Sequence, residues 1–123
     1  MVKPYVRRPV TWILLVGLLV LVFALSACGG SSSSPVSVKI NETHASSGDV
    51  YVCDPTSITI NKGDTVNFTN NSDENQDFDQ GDAQKAGVDF VVAINGSKSV
   101  TFNTSGNFAV KSEKGANITV KVN

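Results

Sequence analysis

The chain has 123 residues, with ten lysine and arginine residues against eleven aspartate and glutamate residues, for a formal net charge of −1 at pH 7. This length suits one modest domain, and the basic excess of a nucleic-acid-binding protein is missing, so we exclude that class. Arginine occurs only at Arg7 and Arg8, which leaves the remainder of the chain acidic.

The first residues follow the order that is typical of a secretory signal peptide. A basic stretch at 3–8 precedes an apolar run at 12–25, which is short for a membrane-spanning helix. The run ends in LSAC at 25–28, which resembles the lipobox of bacterial lipoproteins. This resemblance implies that residues 1–27 are a signal peptide and that Cys28 becomes a lipidated first residue, carrying palmitate or a similar acyl chain. A plain signal anchor with an incidental cysteine is the alternative.

A Gly- and Ser-rich stretch follows Cys28, so residues 28–35 are predicted to be a flexible linker. No second linker follows, and residues 36–123 are therefore predicted to form one domain. We expect this domain to lie on the extracytoplasmic side of a bacterial cell membrane, held there by the lipid.

Most of the domain alternates apolar and polar residues, as half-buried strands do. The runs lie at 36–41, 58–61, 66–69, 100–102, 108–110 and 118–122. Turn-forming residues separate them, and the pattern predicts a small all-β sandwich. The residues predicted to face its core are Val38, Ile40, Ile58, Ile60, Val66, Phe68, Val100, Phe102, Phe108, Val110, Ile118, Val120 and Val122.

Residues 72–88 depart from this pattern, because they are acidic and contain little large apolar surface apart from Phe78. They are predicted to form a long loop, or a loop with one helical turn. The run DFDQGD at 77–82 has a partial likeness to calcium-binding loops, but it lacks the closing glutamate of an EF-hand, which favours a solvated loop. Its acidic residues form a candidate contact surface: Asp73, Glu74, Asp77, Asp79 and Asp82.

Cys53 is the only thiol left once Cys28 is lipidated, so the domain has no internal disulfide. Burial in the core is the simplest prediction for such a cysteine. Pairing with another molecule or binding a metal are the alternatives.

Two segments, 53–78 and 97–123, resemble the central and closing parts of the cupredoxin family. The resemblance implies a Greek-key β-sandwich of about seven short strands. The start of the first segment, Cys53-Asp54-Pro55, is similar to the cupredoxin-like module of EfeO-type bacterial iron-uptake lipoproteins.

The same resemblance implies a copper site whose ligands this chain does not supply. A type 1 copper site uses two histidines and a cysteine, with a weak axial methionine. Gln76 occupies the position of the first histidine ligand, and 111–114 reads KSEK where the family has its cysteine, second histidine and methionine. The chain has one histidine, His44, and its only methionine is Met1. Counting therefore excludes a conventional type 1 site within one chain, and no cofactor is expected.

A different metal site around His44 and Cys53, which flank a Ser- and Gly-containing stretch, is an alternative, with Glu42 or Asp54 as a further ligand. The simpler interpretation is that His44 is a solvated surface residue.

We expect no enzymatic activity, because the chain shows no nucleophile beside a base and no phosphate-binding loop. Three hypotheses remain. The domain is a copper-free binding or structural module at the cell surface, a copper-binding or electron-transfer protein with an unusual site involving Cys53, or an envelope adhesion module. Each of them involves the membrane and an envelope protein partner, and none involves a small-molecule substrate. Burial of Cys53 favours the first.

Overall fold

The computed structural model describes residues 34–123. The predicted signal peptide, Cys28 and most of the predicted linker lie outside these residues. Within the described part of the chain, no helix has the length and apolarity needed to cross a membrane.

Strands dominate the described region, together with one short helix. In chain order they are β1 (Val36–Ala45), β2 (Gly48–Asp54), β3 (Ser57–Ile60), β4 (Thr65–Asn70), β5 (Gln76–Phe78), β6 (Gln80–Gly81), helix α1 (Ala83–Ala86), β7 (Phe90–Val92), β8 (Ser97–Thr101), β9 (Gly106–Lys111) and β10 (Asn117–Val122).

Two four-stranded sheets form the fold, in the orders β2-β1-β4-β8 and β3-β10-β9-β6. In the first sheet β1 pairs antiparallel with β2 and parallel with β4, and in the second β10 pairs antiparallel with β9 and parallel with β3. Parallel neighbours cannot be joined by a tight turn, so the chain crosses between the sheets. The predicted all-β sandwich is confirmed.

The described residues form ten strands, more than the seven or so that were predicted. Three short strands, β5, β6 and β7, lie in and after the stretch predicted as a loop, and β5 pairs antiparallel with β7. Two or three residues are too few for a period of two to be visible in the sequence. The predicted helical turn is present as α1.

Every residue predicted to face the core is buried. Alternate side chains of each strand point to the same face, so apolar residues two apart meet between the sheets. The structure adds residues from the segment predicted as a solvated loop: Phe78, Ala83, Ala86 and Val88.

An aromatic cluster attaches the β5–β7 pair to the first sheet. The Phe68 ring of β4 lies 5.7 Å from that of Phe78 and 4.9 Å from that of Phe90, measured between centroids. Phe78 and Phe90 are register partners and stack with centroids 4.9 Å apart. Phe68 therefore connects two parts of the core, and aromatic pairs at these distances stabilise beyond their buried area.

Truncating Phe68 should destabilise the domain strongly, because Phe68→Ala leaves a cavity among three packed rings. We expect a loss of about 3–5 kcal/mol in the free energy of unfolding, measured by urea denaturation. Val50→Ala is the matched control, because Val50 is 47% exposed, and its effect should stay within about 0.5 kcal/mol. Equal unfolding midpoints for the two variants would contradict the packing described for Phe68.

Candidate functional site

A buried polar cluster lies where β5 meets the end of β9. Gln76 is the first residue of β5 and is fully buried, and Ser112 follows β9 and is 2% exposed. The Ser112 hydroxyl donates a 2.8 Å hydrogen bond to Oε1 of Gln76. The position that the cupredoxin resemblance assigns to the first histidine ligand therefore lies beside the 111–114 segment, in which the family has its other ligands. The two side chains that meet there are an amide and a hydroxyl.

The hydrogen bonds continue on both sides of this pair. The backbone N–H of Ala116 donates to the Ser112 hydroxyl at 3.0 Å, and Nε2 of Gln76 donates to the Ser72 hydroxyl at 3.3 Å. Ser72 in turn donates to Oδ1 of Asn70 at 2.7 Å. We call Asn70, Ser72, Gln76 and Ser112 the Gln76 network; all four are buried.

Asn70 anchors the network to the backbone around it. Its amide nitrogen donates to the carbonyl oxygens of Glu74, at 2.7 Å, and Val92, at 3.1 Å. Its Oδ1 also accepts from the backbone N–H of Ser72 at 3.0 Å. Because buried polar groups are costly unless they are bonded, these contacts fix the loop between β4 and β5.

The chemistry of the Gln76 network differs from that of a copper site. Its side chains offer amide and hydroxyl groups, whereas type 1 copper is held by imidazole nitrogen and thiolate sulfur. Among the described residues, the buried side-chain atoms without a hydrogen-bond partner are Oε1 of Glu42 and Oδ1 of Asp77, and neither belongs to the network. The polar side-chain atoms of the Gln76 network form hydrogen bonds with each other and with the backbone.

Cys53 lies in the core and carries a free thiol with no exposed surface. Desolvation raises the pKa of Cys53 to about 12. The thiolate, which is the form that binds metals and attacks electrophiles, is therefore strongly disfavoured at neutral pH.

The structure does not bring Cys53 and His44 together. Cys53 is paired with Ile40, whereas His44 is paired with Asp49 at the other end of the same hairpin. The four-residue offset along β1 corresponds to about 13 Å at the rise of a strand. Asp54 is opposite Lys39, one position further from His44. A shared site of His44 with Cys53 or Asp54 is thus not formed.

Glu42, His44 and Asp49 do form a cluster at the tip of the β1–β2 hairpin. Nδ1 of His44 lies 2.7 Å from Oδ1 of Asp49, in a hydrogen bond, and 3.6 Å from Oε1 of Glu42. The His44 side chain is 74% exposed and that of Glu42 is 6% exposed. The hydrogen bond that the His44 ring donates to Asp49, and then the charges of Glu42 and Asp49, raise the pKa of His44 above its ordinary value.

The acidic residues of the predicted contact loop do not act as one unit. Asp73, Glu74 and Asp79 are exposed, and carboxylate oxygens of Asp77 and Asp79 lie within 4.8 Å of a Glu113 oxygen. Asp82 is engaged elsewhere. Its Oδ1 pairs with Nζ of Lys85 at 2.8 Å and its Oδ2 accepts from the backbone N–H of Ala109 at 3.1 Å, and these bonds lower the pKa of Asp82.

Several polar residues of these clusters were not predicted as site residues from the sequence, among them Asp49, Asn70 and Ser72. Asp49 is recognisable once Ser46 and Ser47 are taken as a hairpin turn, because pairing then places Asp49 opposite His44. Asn70 and Ser72 belong to an Asn- and Ser-rich run that resembles an ordinary loop, and no sequence signal marks them as buried.

No protein-family model matches the chain, and no curated protein matches its sequence. Solved structures do match. An oxidised amicyanin mutant is 15% identical, with a TM-score of 0.53 over 77% of this chain and 88% of that chain. A purple cupredoxin from Nitrosopumilus maritimus is 14% identical, with a TM-score of 0.52 over 72% and 99%. Native pseudoazurin from Hyphomicrobium denitrificans is 17% identical, with a TM-score of 0.53 over 72% and 75%. The predicted cupredoxin-like fold is confirmed.

Removing the hydroxyl of Ser112 should destabilise the protein. In Ser112→Ala, Oε1 of Gln76 loses its donor and the Ala116 N–H loses its acceptor. We expect a loss of about 1–3 kcal/mol in the free energy of unfolding, measured by urea denaturation. Ser99→Ala, at an exposed position of β8, is the control and should change stability by less than about 0.5 kcal/mol. A Ser112→Ala variant as stable as the control would refute the buried network.

Proposed function

We propose that this chain is a lipid-anchored, extracytoplasmic protein whose cupredoxin-like domain has no type 1 copper site and acts as a binding or structural module rather than an enzyme. The observation that carries the proposal is the hydrogen bond between Ser112 and Gln76. It joins the position of the family's first histidine ligand to the segment in which the family has its other ligands, through side chains that offer copper neither sulfur nor imidazole.

The environment of Cys53 supports the same proposal. A cysteine ligand would have to reach the ligand positions as a thiolate, but Cys53 is buried in β2 with a pKa raised to about 12 by desolvation. Its register partner is Ile40 of the first sheet, whereas Ser112 follows a strand of the second sheet. Cys53 is therefore better explained as a packing residue than as a ligand.

The proposed contact surface is the acidic segment between β4 and α1 together with Glu113. Asp73, Glu74 and Asp79 are exposed, and Oε2 of Glu74 lies 3.4 Å from Nζ of Lys114. The buried Gln76 network holds the backbone at Ser72 and Glu74. A preorganised acidic surface suits a basic partner, because complementary charge accelerates association and selects the partner. An envelope protein with a basic surface is the proposed partner.

The fold itself favours one alternative, a copper-binding or electron-transfer protein with an unusual site involving Cys53. Amicyanin, to which the domain is similar in fold, has been determined in Cu(I) forms. If the protein binds copper through Cys53, the Cys53 side chain would have to move out of the core.

Copper loading of the full-length protein in detergent separates the two functions. We expect no intense thiolate-to-copper absorption after exposure to Cu(II) or Cu(I), and a folded protein without metal. The proposal would be overturned by one equivalent of copper with such a band that persists in Cys28→Ser and disappears in Cys53→Ser. Circular dichroism of each variant establishes that it remains folded.

Lipid attachment is tested by growing expressing cells with a clickable palmitate analogue. We expect label on the wild-type protein and on Cys53→Ser, and none on Cys28→Ser, because only Cys28 lies in the lipobox-like sequence. Mass spectrometry should place the mature N-terminus at Cys28. An unlabelled wild-type protein, or one that keeps residues 1–27, would refute the anchor.

A further inference from the structure

We propose that Glu42, His44 and Asp49 form a binding site for a divalent transition-metal ion at the tip of the β1–β2 hairpin. The site is separate from the Gln76 network and does not use Cys53. It goes beyond the function proposed above, which assigns no metal to the domain.

The hairpin itself gathers the three side chains. β1 ends at Ala45 and β2 begins at Gly48, so Ser46 and Ser47 form the turn and His44 lies directly opposite Asp49. Directly paired residues of antiparallel strands share a face, and Glu42, two residues before His44, shares it as well. Three donors are thereby brought to one face by local chain geometry.

The distances suit a tetrahedral metal ion after small movements. One ligand atom from each residue lies within 4.8 Å of the other two. Ligands about 2.0–2.1 Å from zinc in a tetrahedral site are separated by about 3.4 Å. The 3.6 Å separation of Glu42 and His44 already fits. The 2.7 Å hydrogen bond between His44 and Asp49 would lengthen when a metal replaces its proton.

The Glu42 carboxylate is buried and has one oxygen without a hydrogen-bond partner, which indicates that a cation binds there. Its side chain is 6% exposed, and Oε1 is buried without a hydrogen-bond partner, because the 3.6 Å to His44 is too long for one. Oε2 accepts a 3.0 Å hydrogen bond from the backbone N–H of Asp73, which fixes the orientation of the group. A desolvated carboxylate oxygen is costly unless a cation or donor compensates it, and this oxygen faces the cluster.

Nearby carboxylates make the region negative. Besides Glu42 and Asp49, the exposed Asp73 lies beside the cluster, because its backbone N–H donates a hydrogen bond to Glu42. A concentration of negative charge of this kind raises the local concentration of cations.

The donor set selects the class of metal. One imidazole nitrogen and two carboxylate oxygens suit zinc and similar divalent transition metals, whereas calcium and magnesium prefer oxygen alone. His44 is 74% exposed, so the fourth position is open to water or to an exchangeable ligand. The cluster of Asp77, Asp79 and Glu113 offers only carboxylates and lacks the imidazole.

The test is Zn(II) titration of the full-length protein in detergent, by calorimetry and by NMR of the His44 ring. We expect one equivalent to bind and to shift the His44 resonances, with affinity reduced about tenfold or more in His44→Gln and in Asp49→Asn. Asp54→Asn is the matched control, a carboxylate of the same hairpin opposite Lys39, and it should bind as the wild type does. Glu113→Gln controls for the all-carboxylate cluster.

The outcomes separate this site from the proposed function. Zinc binding that is unchanged in His44→Gln, that is lost only in Glu113→Gln, or that is absent from the wild type would overturn the hairpin site. None of these results bears on the copper test, which depends on Cys53. Because His44 and Asp49 are exposed, both variants should fold, and circular dichroism verifies this.

Discussion

The requirement that buried polar groups be paired explains more of this structure than any other single constraint. The Ser112–Gln76 hydrogen bond joins the end of the second sheet to β5, and the contacts of Phe68 with Phe78 and Phe90 hold the β5–β7 pair against the first sheet. Polar and apolar contacts thus fix β5 from two sides. The position of β5 determines where the loop before it runs, and that loop carries Asp73 and Glu74.

The same constraint explains how Gln76 and Ser112 are accommodated in the core. A buried ligand set left without its metal would leave lone pairs unpaired, at a cost of a few kcal/mol for each group. Glutamine and serine side chains can each donate and accept hydrogen bonds, so each satisfies the hydrogen-bonding groups of the other and of its neighbours. The interior is stabilised by internal pairing, and the domain needs neither a disulfide nor a bound ion to satisfy these groups.

Alternation of apolar and polar residues was enough to predict the sandwich and all thirteen core positions named from the sequence. It was not enough for β5, β6 and β7, whose two or three residues are too short to show a period. The burial of polar residues within 72–88 was also missed, because polar side chains such as Ser72 and Gln76 give no apolar pattern and the partner of Gln76, Ser112, is 36 positions away. His44 and Cys53 were considered as a pair, with Glu42 as a possible addition, but the hairpin register, which sets His44 opposite Asp49 and Cys53 opposite Ile40, was unknown.

Residues 43–50, which include the hairpin turn, are exposed throughout, whereas Glu42 just before them is largely buried. Substitutions in this tip leave the core packing untouched, so they are close to neutral for folding. Natural variation can therefore alter the ligands at the tip, or lengthen its turn, while the sandwich stays constant. The hairpin gives this small domain a place where new binding specificities can evolve without loss of stability.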